Sequence, residues 1–401
     1  MRKSFATLRN NRNMFRLWLG SSVSYFGSNF TLIAVLTLTH ALSPQNASLG
    51  LTSFFFILPY LFAGPISGIL SDRYSKRTNL IAADIVRFAL VFGYFLAIAR
   101  KSVHLIYLNS FLLSFFTVLF RNSQSSIVPL IVEKQDLADM NSFSHMMTEI
   151  FFVLSMVTGG FLLGTIGYKG IFLFDAATYL LSMLMIVGIK TKEPVPEGKE
   201  SFAKTFLAGI RYIRGQREML LSASHCSIKY FAYGILNVLY VLYIYTYSKQ
   251  TADAMGILYG FIGGAKILAS FVCLRFLGKH LDRRYGRIIV GALLFETVGT
   301  LLLIPSSAVF MGFVVAVMVI HAGDCFSEVA VSTRVMATCD RDFLGRTNAV
   351  FAVVPNALYA LGMLFCGFVS ERLSMVSLIL IAAGVFVVSA LPLVGILHDE
   401  K

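Results

Sequence analysis

Several ionisable residues sit inside long apolar stretches, where a bare charge is costly: Arg121, Glu149, Lys229, Lys266, Glu296, Asp324 and Glu328. Such a group must face protein or water, or be paired. A buried carboxylate beside a cation can also do chemistry. Burial favours its protonated form and a nearby arginine its ionised form, so a pair that breaks when helices move takes up or releases a proton. Arg121 and Glu149 lie at similar depth on stretches that should neighbour each other, and they are expected to pair. Asp324 and Glu328, with Arg334, form the densest set of such charges. The candidates for proton exchange are therefore Arg121, Glu149, Asp324 and Glu328. The competing reading makes them ion pairs that fix helix packing.

The elements that must position these groups are membrane spans. Of the 401 residues, 57% are hydrophobic and only 14% charged, and apolar runs recur along the whole chain. At about 20 residues per crossing this gives about twelve spans. The expected fold is an all-α integral membrane protein with twelve transmembrane helices in two pseudo-symmetric six-helix bundles. Residues 1–189 form the first bundle and 219–401 the second. Between them, 190–218 is a polar linker whose second half has the period of an amphipathic helix on the inner leaflet. The net charge of +13 is topological and excludes a nucleic-acid partner, because lysine and arginine concentrate in alternate loops. That asymmetry places both termini and the linker in the cytoplasm and the chain in the cell membrane. Met1–Arg16 lacks the short apolar core of a cleaved signal. The five cysteines form no Cys-x-x-Cys pair and read as packing residues.

Two loops are related. Gly68-Ile-Leu-Ser-Asp72-Arg73-Tyr-Ser-Lys-Arg77 joins the second and third runs, and Gly278-Lys-His-Leu-Asp282-Arg283-Arg-Tyr-Gly-Arg follows roughly 210 residues later. Leu137-x-x-x-Asn141 and Leu344-x-x-x-Asn348 repeat at nearly the same offset. A repeat at half the chain length, in the same orientation, is the mark of many secondary transporters. The loops resemble the Gly-x-x-x-Asp-Arg-x-Gly-Arg-Arg signature of the major facilitator superfamily, with Ser75 in place of the glycine and one extra residue in the second copy. Arg121-x-x-Gln124 is similar to the helix 4 signature of that superfamily's drug–proton antiporters, with Ser125 replacing a glycine. Phe172-Leu-Phe-Asp175-Ala-Ala-Thr-Tyr resembles the sixth span of its macrolide-efflux-like branch.

That resemblance implies helices 1, 2, 4 and 5 facing helices 7, 8, 10 and 11 across a central cavity. It puts Arg121, Glu149, Lys229, Lys266, Asp324 and Glu328 near the cavity and leaves Glu296 peripheral. Ser24, Tyr25, Asn29, Gln124, Lys229, Tyr233, Asn237, Lys266 and Asn356 are the candidates for its wall. For the polar face of helix 1, tight helix packing is an equal alternative. Gly68, Asp72, Arg73, Arg77, Gly278, Asp282 and Arg283 would latch one conformation on the inner side. Asp84 and Arg87, three apart, read as a structural ion pair, and Asp175 as a packing or helix-start residue. Gly64-x-x-x-Gly68 and Gly256-x-x-x-Gly260-x-x-x-Gly264 read as close helix crossings, and the featureless twelfth span as facing lipid.

No nucleotide-binding loop, metal-ligand spacing or serine nucleophile elbow occurs, so no enzyme, cofactor or metal is expected. Two classes remain. One is a monomeric, proton-coupled exporter of amphiphilic small molecules such as drugs, antibiotics or a secreted metabolite, working by alternating access in the bilayer. The other is a lipid or lysolipid flippase, or a non-transporting membrane partner.

Overall fold

The computed structural model describes residues 8, 10–63, 66, 74–133, 136–191, 202–248, 252–273, 285–340 and 343–394. Among the described residues there is no strand. Helix α1 spans Arg12–Leu42; the Asn11 side chain caps it by accepting from the Met14 N–H at 3.0 Å. It ends at Ser43, held extended before Pro44. Helix α2, Asn46–Ile57, tightens into a 3-10 turn at Leu58–Leu61, where Pro59 supplies no N–H. Helix α3 (Lys76–Arg100) is capped by Ser75 and α4 covers Val103–Ile131.

Helix α5, Leu137–Val187, runs 51 residues with one break, at Gly167 (φ 67°). A side chain there would clash with its own backbone, so glycine permits the kink between two apolar halves. The short α6 (Phe202–Gly215) precedes α7 (Arg217–Leu242), which runs on into a π turn at Tyr243–Tyr247. Then come α8 (Ala252–Val272), α9 (Tyr285–Ser306), α10 (Phe310–Thr338), α11 (Leu344–Val369) and α12 (Met375–Ser389).

Ten helices among the described residues are long and apolar enough to cross a membrane. Two features separate that count from the expected twelve. Ile150–Val187 is one 38-residue apolar stretch counted once although Gly167 breaks it, and Asn46–Leu61 is apolar but short.

The chain packs as two compact units. Unit 1 contains Met1–Pro44, Phe55–Phe202 and Thr251–Gly260; unit 2 contains Gln45–Phe54, Ala203–Gln250 and Phe261–Lys401. The core of unit 1 gathers Phe30, Ile33, Tyr94, Met156, Phe172 and Tyr179 from α1, α3 and α5. Lipid is as apolar as leucine, so close packing and polar contacts carry much of helix association. In unit 2, α7 and α11 cross at two glycines: a methyl on Gly234 would meet the Tyr359 carbonyl, and one on Gly362 the Phe231 carbonyl. The expected glycine contacts of α8 are partly present. Gly256 and Gly260 lie against Met156 and Val157 of α5 in unit 1, whereas Gly264 has open space around it. Gly64 and Gly68 lie outside the described residues.

Helix α12 is not wholly given over to lipid. Its Leu378, Ile379, Ala382, Ala383 and Phe386 are buried, and α12 packs against α7 and α9. The amphipathic α6 docks on the α10–α11 corner. Tyr212 stacks on Phe343 at 4.4 Å and accepts from the Asp340 N–H at 3.0 Å. All five cysteines are buried and free.

Candidate functional site

Four helices of unit 2 bring their charges to one place. Lys229 and Tyr233 lie one turn apart on α7, and His321, Asp324 and Glu328 recur on one face of α10. Lys266 comes from α8 and Glu296 from α9. Two glycines bring α9 and α10 together: a methyl on Gly299 would fall 2.8 Å from Ile320 Cγ1, and one on Gly323 would fall 2.6 Å from the Ala292 carbonyl oxygen and 3.0 Å from Glu296 Cγ. That closeness lets short carboxylates reach across.

Asp324 is the centre. Its Oδ2 is 2.8 Å from Lys266 Nζ and its Oδ1 3.1 Å from Lys229 Nζ. Lys229 Nζ also donates to Glu296 Oε1 at 3.3 Å, and the Tyr233 hydroxyl donates to the same oxygen at 3.2 Å. Lys266 reaches Glu328 at 4.0 Å. Exposure falls steeply across the cluster: the Glu328 side chain is 63% exposed, that of Lys266 32%, and Glu296 is fully buried. Beside it lies a cavity of about 180 Å³, lined by Cys226, Lys229, Tyr230, Glu328, Asn348 and Phe351 among others. Lys229 thus belongs both to a cavity wall and to the closed, Glu296 end of the ion-pair network. Charged groups this buried hold their ionised forms only through such partners. Among the described residues no cluster of side chains is arranged to hold a metal ion.

Of the expected residues, this cluster unites Lys229, Tyr233, Lys266, Asp324 and Glu328. Asn237 lies two turns further along α7, half-buried, and Asn356 donates to its own helix at Ala352. Glu296 corrects the expectation of a peripheral position: it is inside the network. The sequence signal was there, since Glu296 is the one charge in α9 beyond Arg287 in its first turn, and buried lysines on neighbouring spans need anions. His321 was also passed over. Its ring packs against Tyr233 at 5.7 Å, and neither ring nitrogen has a partner.

In unit 1 the polar residues of α1 divide. Ser24 is buried, and Asn29 donates to Ser155 of α5 at 2.8 Å, so both serve helix packing. Gln124 of α4 donates to Ser21 at 2.9 Å. The Arg121 guanidinium lies 5.1 Å above the Tyr25 ring, within cation–π range. The Glu149 side chain lies outside the described residues, and with it the expected Arg121–Glu149 pair. Asp84 and Arg87 do pair, fully withdrawn from solvent, with the guanidinium over Phe120 at 4.1 Å and Tyr179 at 4.6 Å. Asp175 is buried and accepts from Thr31 at 2.6 Å, tying α5 to α1. Of the latch residues, Arg77 is described, and it donates to the Val187 carbonyl at the end of α5. Gly68, Asp72, Arg73, Gly278, Asp282 and Arg283 lie outside the described residues.

Comparison with known proteins agrees with this architecture. The chain is 22% identical to the MFS-type transporter YfiS of Bacillus subtilis, over 94% of this chain and 91% of that protein. It is 27% identical to YkuC of the same organism, over 51% of this chain and half the length of that relative. It is 19% identical to macrolide efflux protein A of Streptococcus pyogenes, over 90% of this chain and 89% of that protein. Among solved structures, the nucleoside transporter NupG superimposes with a TM-score of 0.76 at 14% identity, covering 95% of this chain and 98% of that one. A bacterial homologue of the iron transporter ferroportin gives 0.75 at 11% identity, covering 95% and 97%. Both likenesses are of fold. Residues 17–354 match the Major Facilitator Superfamily, and the chain belongs to that family of membrane transporters, not to the enzymes.

Proposed function

We propose that this chain is a proton-driven exporter of amphiphilic small molecules in the cell membrane. Counting the two apolar halves of α5 separately, and Asn46–Leu61 as part of a longer span, gives twelve crossings in two bundles with both termini cytoplasmic. Relatives support the direction of transport: one is named as a macrolide efflux protein, and the enterobactin exporter EntS of Escherichia coli is 25% identical over 37% of this chain and 36% of its own length.

The observation that carries the reading is Asp324 set between Lys229 and Lys266, beside a cavity lined in part by aromatic and apolar side chains. Lysines held by a shared carboxylate can exchange it for water or a polar group of a substrate, and each exchange alters how readily the neighbouring acids hold protons. Cycling the site between the two faces of the membrane then links proton entry to substrate exit. Arg121 over Tyr25, with Glu149 as its expected partner, is a second candidate for proton exchange.

The test is uptake of a labelled macrolide into inverted vesicles with an imposed pH gradient. Accumulation that needs an acid lumen is expected. Movement of a fluorescent phospholipid between leaflets, with no macrolide uptake, would favour the flippase class and overturn the proposal.

A further inference from the structure

Two lysines face three carboxylates in the unit 2 cluster, so with every group ionised it carries one excess negative charge. An uncompensated charge inside a membrane protein is expensive, and one proton removes it. The geometry distinguishes the acids. Asp324 touches both lysines. Glu328 is largely exposed on the cavity side, where water can solvate it, and it has Lys266 within 4.0 Å. Glu296 is fully buried and shares Lys229 with Asp324. One of its oxygens takes both hydrogen bonds, from Lys229 and Tyr233, while Oε2 has no partner.

Among the described residues the surroundings supply no further lysine or arginine to the cluster. From α7 the titratable groups are His225, Cys226, Lys229, Tyr230 and Tyr233; from α10 they are His321, Asp324 and Glu328. Lys266 of α8 reaches the cluster through Asp324. The stretch Met375–Ser389 of α12 contains no titratable residue, and α9 contributes no other charge at this depth.

We infer that Glu296 holds the exchangeable proton and that Lys229, which stands in the cavity wall and touches Glu296, makes its release depend on what the cavity contains. When the cavity holds only water, which draws the Lys229 ammonium toward it, Asp324 and Glu296 lose part of a shared cation and Glu296 keeps its proton. When a substrate displaces that water and Lys229 turns fully to Glu296, the acid ionises: the carboxylate keeps the O–H electron pair and the proton passes to cavity water, so that substrate and proton oppose each other as export against a proton requires. A buried acid reached through a lysine is thereby shielded from direct substrate contact. The inference rests on the cluster being the coupling site, but its test does not need transport.

The experiment is infrared difference spectroscopy of the purified chain in lipid nanodiscs, stepping from neutral to alkaline pH. A wild-type carbonyl band of a protonated carboxylic acid is expected to disappear on alkalinisation. The Glu296→Gln variant is expected to lack that band; Asp324→Asn, in which two lysines face two carboxylates, is expected to lose it as well, and Asp175→Asn, at the buried acid of unit 1, to retain it. If Glu296→Gln does not fold, Glu296→Asp is expected to shift the band in frequency. A band unmoved by either Glu296 substitution, or no band in the wild type, overturns the assignment. Absence of gradient-driven macrolide uptake with the Glu296 band present overturns the transport proposal alone.

Discussion

Asp324 and Lys266 are joined at 2.8 Å across α8 and α10, and the same aspartate holds Lys229 through its other oxygen. Removing the aspartate charge leaves two lysines to share Glu296 and Glu328. Breaking a buried pair from one side costs about 3–5 kcal/mol. Asp324→Asn is therefore expected to lower the melting temperature in detergent and to abolish macrolide uptake, whereas Asp324→Glu retains part of both. Wild-type stability and uptake in Asp324→Asn would show the contact to be dispensable.

The pair buried in unit 1 should behave differently. Asp84 and Arg87 lie three apart on α3, and Arg87 is packed on Phe120 and Tyr179 rather than on a cavity. Asp84→Asn alone strands a buried guanidinium and should cost about 3–5 kcal/mol. The double change Asp84→Ala with Arg87→Met should recover much of that loss and keep gradient-driven uptake. Thermal unfolding beside uptake, with the double variant stable but inactive, would move this pair from scaffold to mechanism.

Much of the fold was readable because membrane spans are long and their charges rare. The apolar runs gave the helices, and the polar linker gave α6. The cluster was only half readable. Lys229, Lys266, Asp324 and Glu328 stand out as charges in apolar sequence, but which ones meet depends on helix rotation. Glu296 was misplaced for that reason: sequence gives its depth, while Gly299 and Gly323 decide how close α9 comes to α10. The polar face of α1 was open in sequence between a cavity wall and tight helix packing. Ser24 is buried and Asn29 bonds to Ser155 within unit 1, as the packing alternative expects.

The α7–α11 crossing makes a packing prediction. A methyl at Gly234 or Gly362 has backbone carbonyls in its way, so the helices must separate. Overpacking of this kind costs about 1–3 kcal/mol. Gly234→Ala and Gly362→Ala are each expected to lower thermal stability, while Gly264→Ala, with open space around it, should not. Equal stability of all three variants would contradict the close crossing.

Topology and the signature loops are tested together. A cysteine in the linker, Ser201→Cys, is expected to resist an impermeant thiol reagent added to intact cells and to react after permeabilisation. Asp72→Asn and Asp282→Asn are expected to insert normally and transport less. Labelling from outside would reverse the topology, and wild-type transport by both loop variants would reduce the loops to anchors.

The central claim is that the cluster around Asp324 couples proton movement to export. The most direct measurement adds a labelled macrolide to inverted vesicles with an acid lumen and follows uptake and lumenal pH together. Wild-type vesicles are expected to accumulate the macrolide while the lumen alkalinises in step, and Asp324→Asn vesicles with equal protein to do neither. Macrolide uptake without proton efflux in the wild type, or coupled uptake that persists in Asp324→Asn, would contradict it.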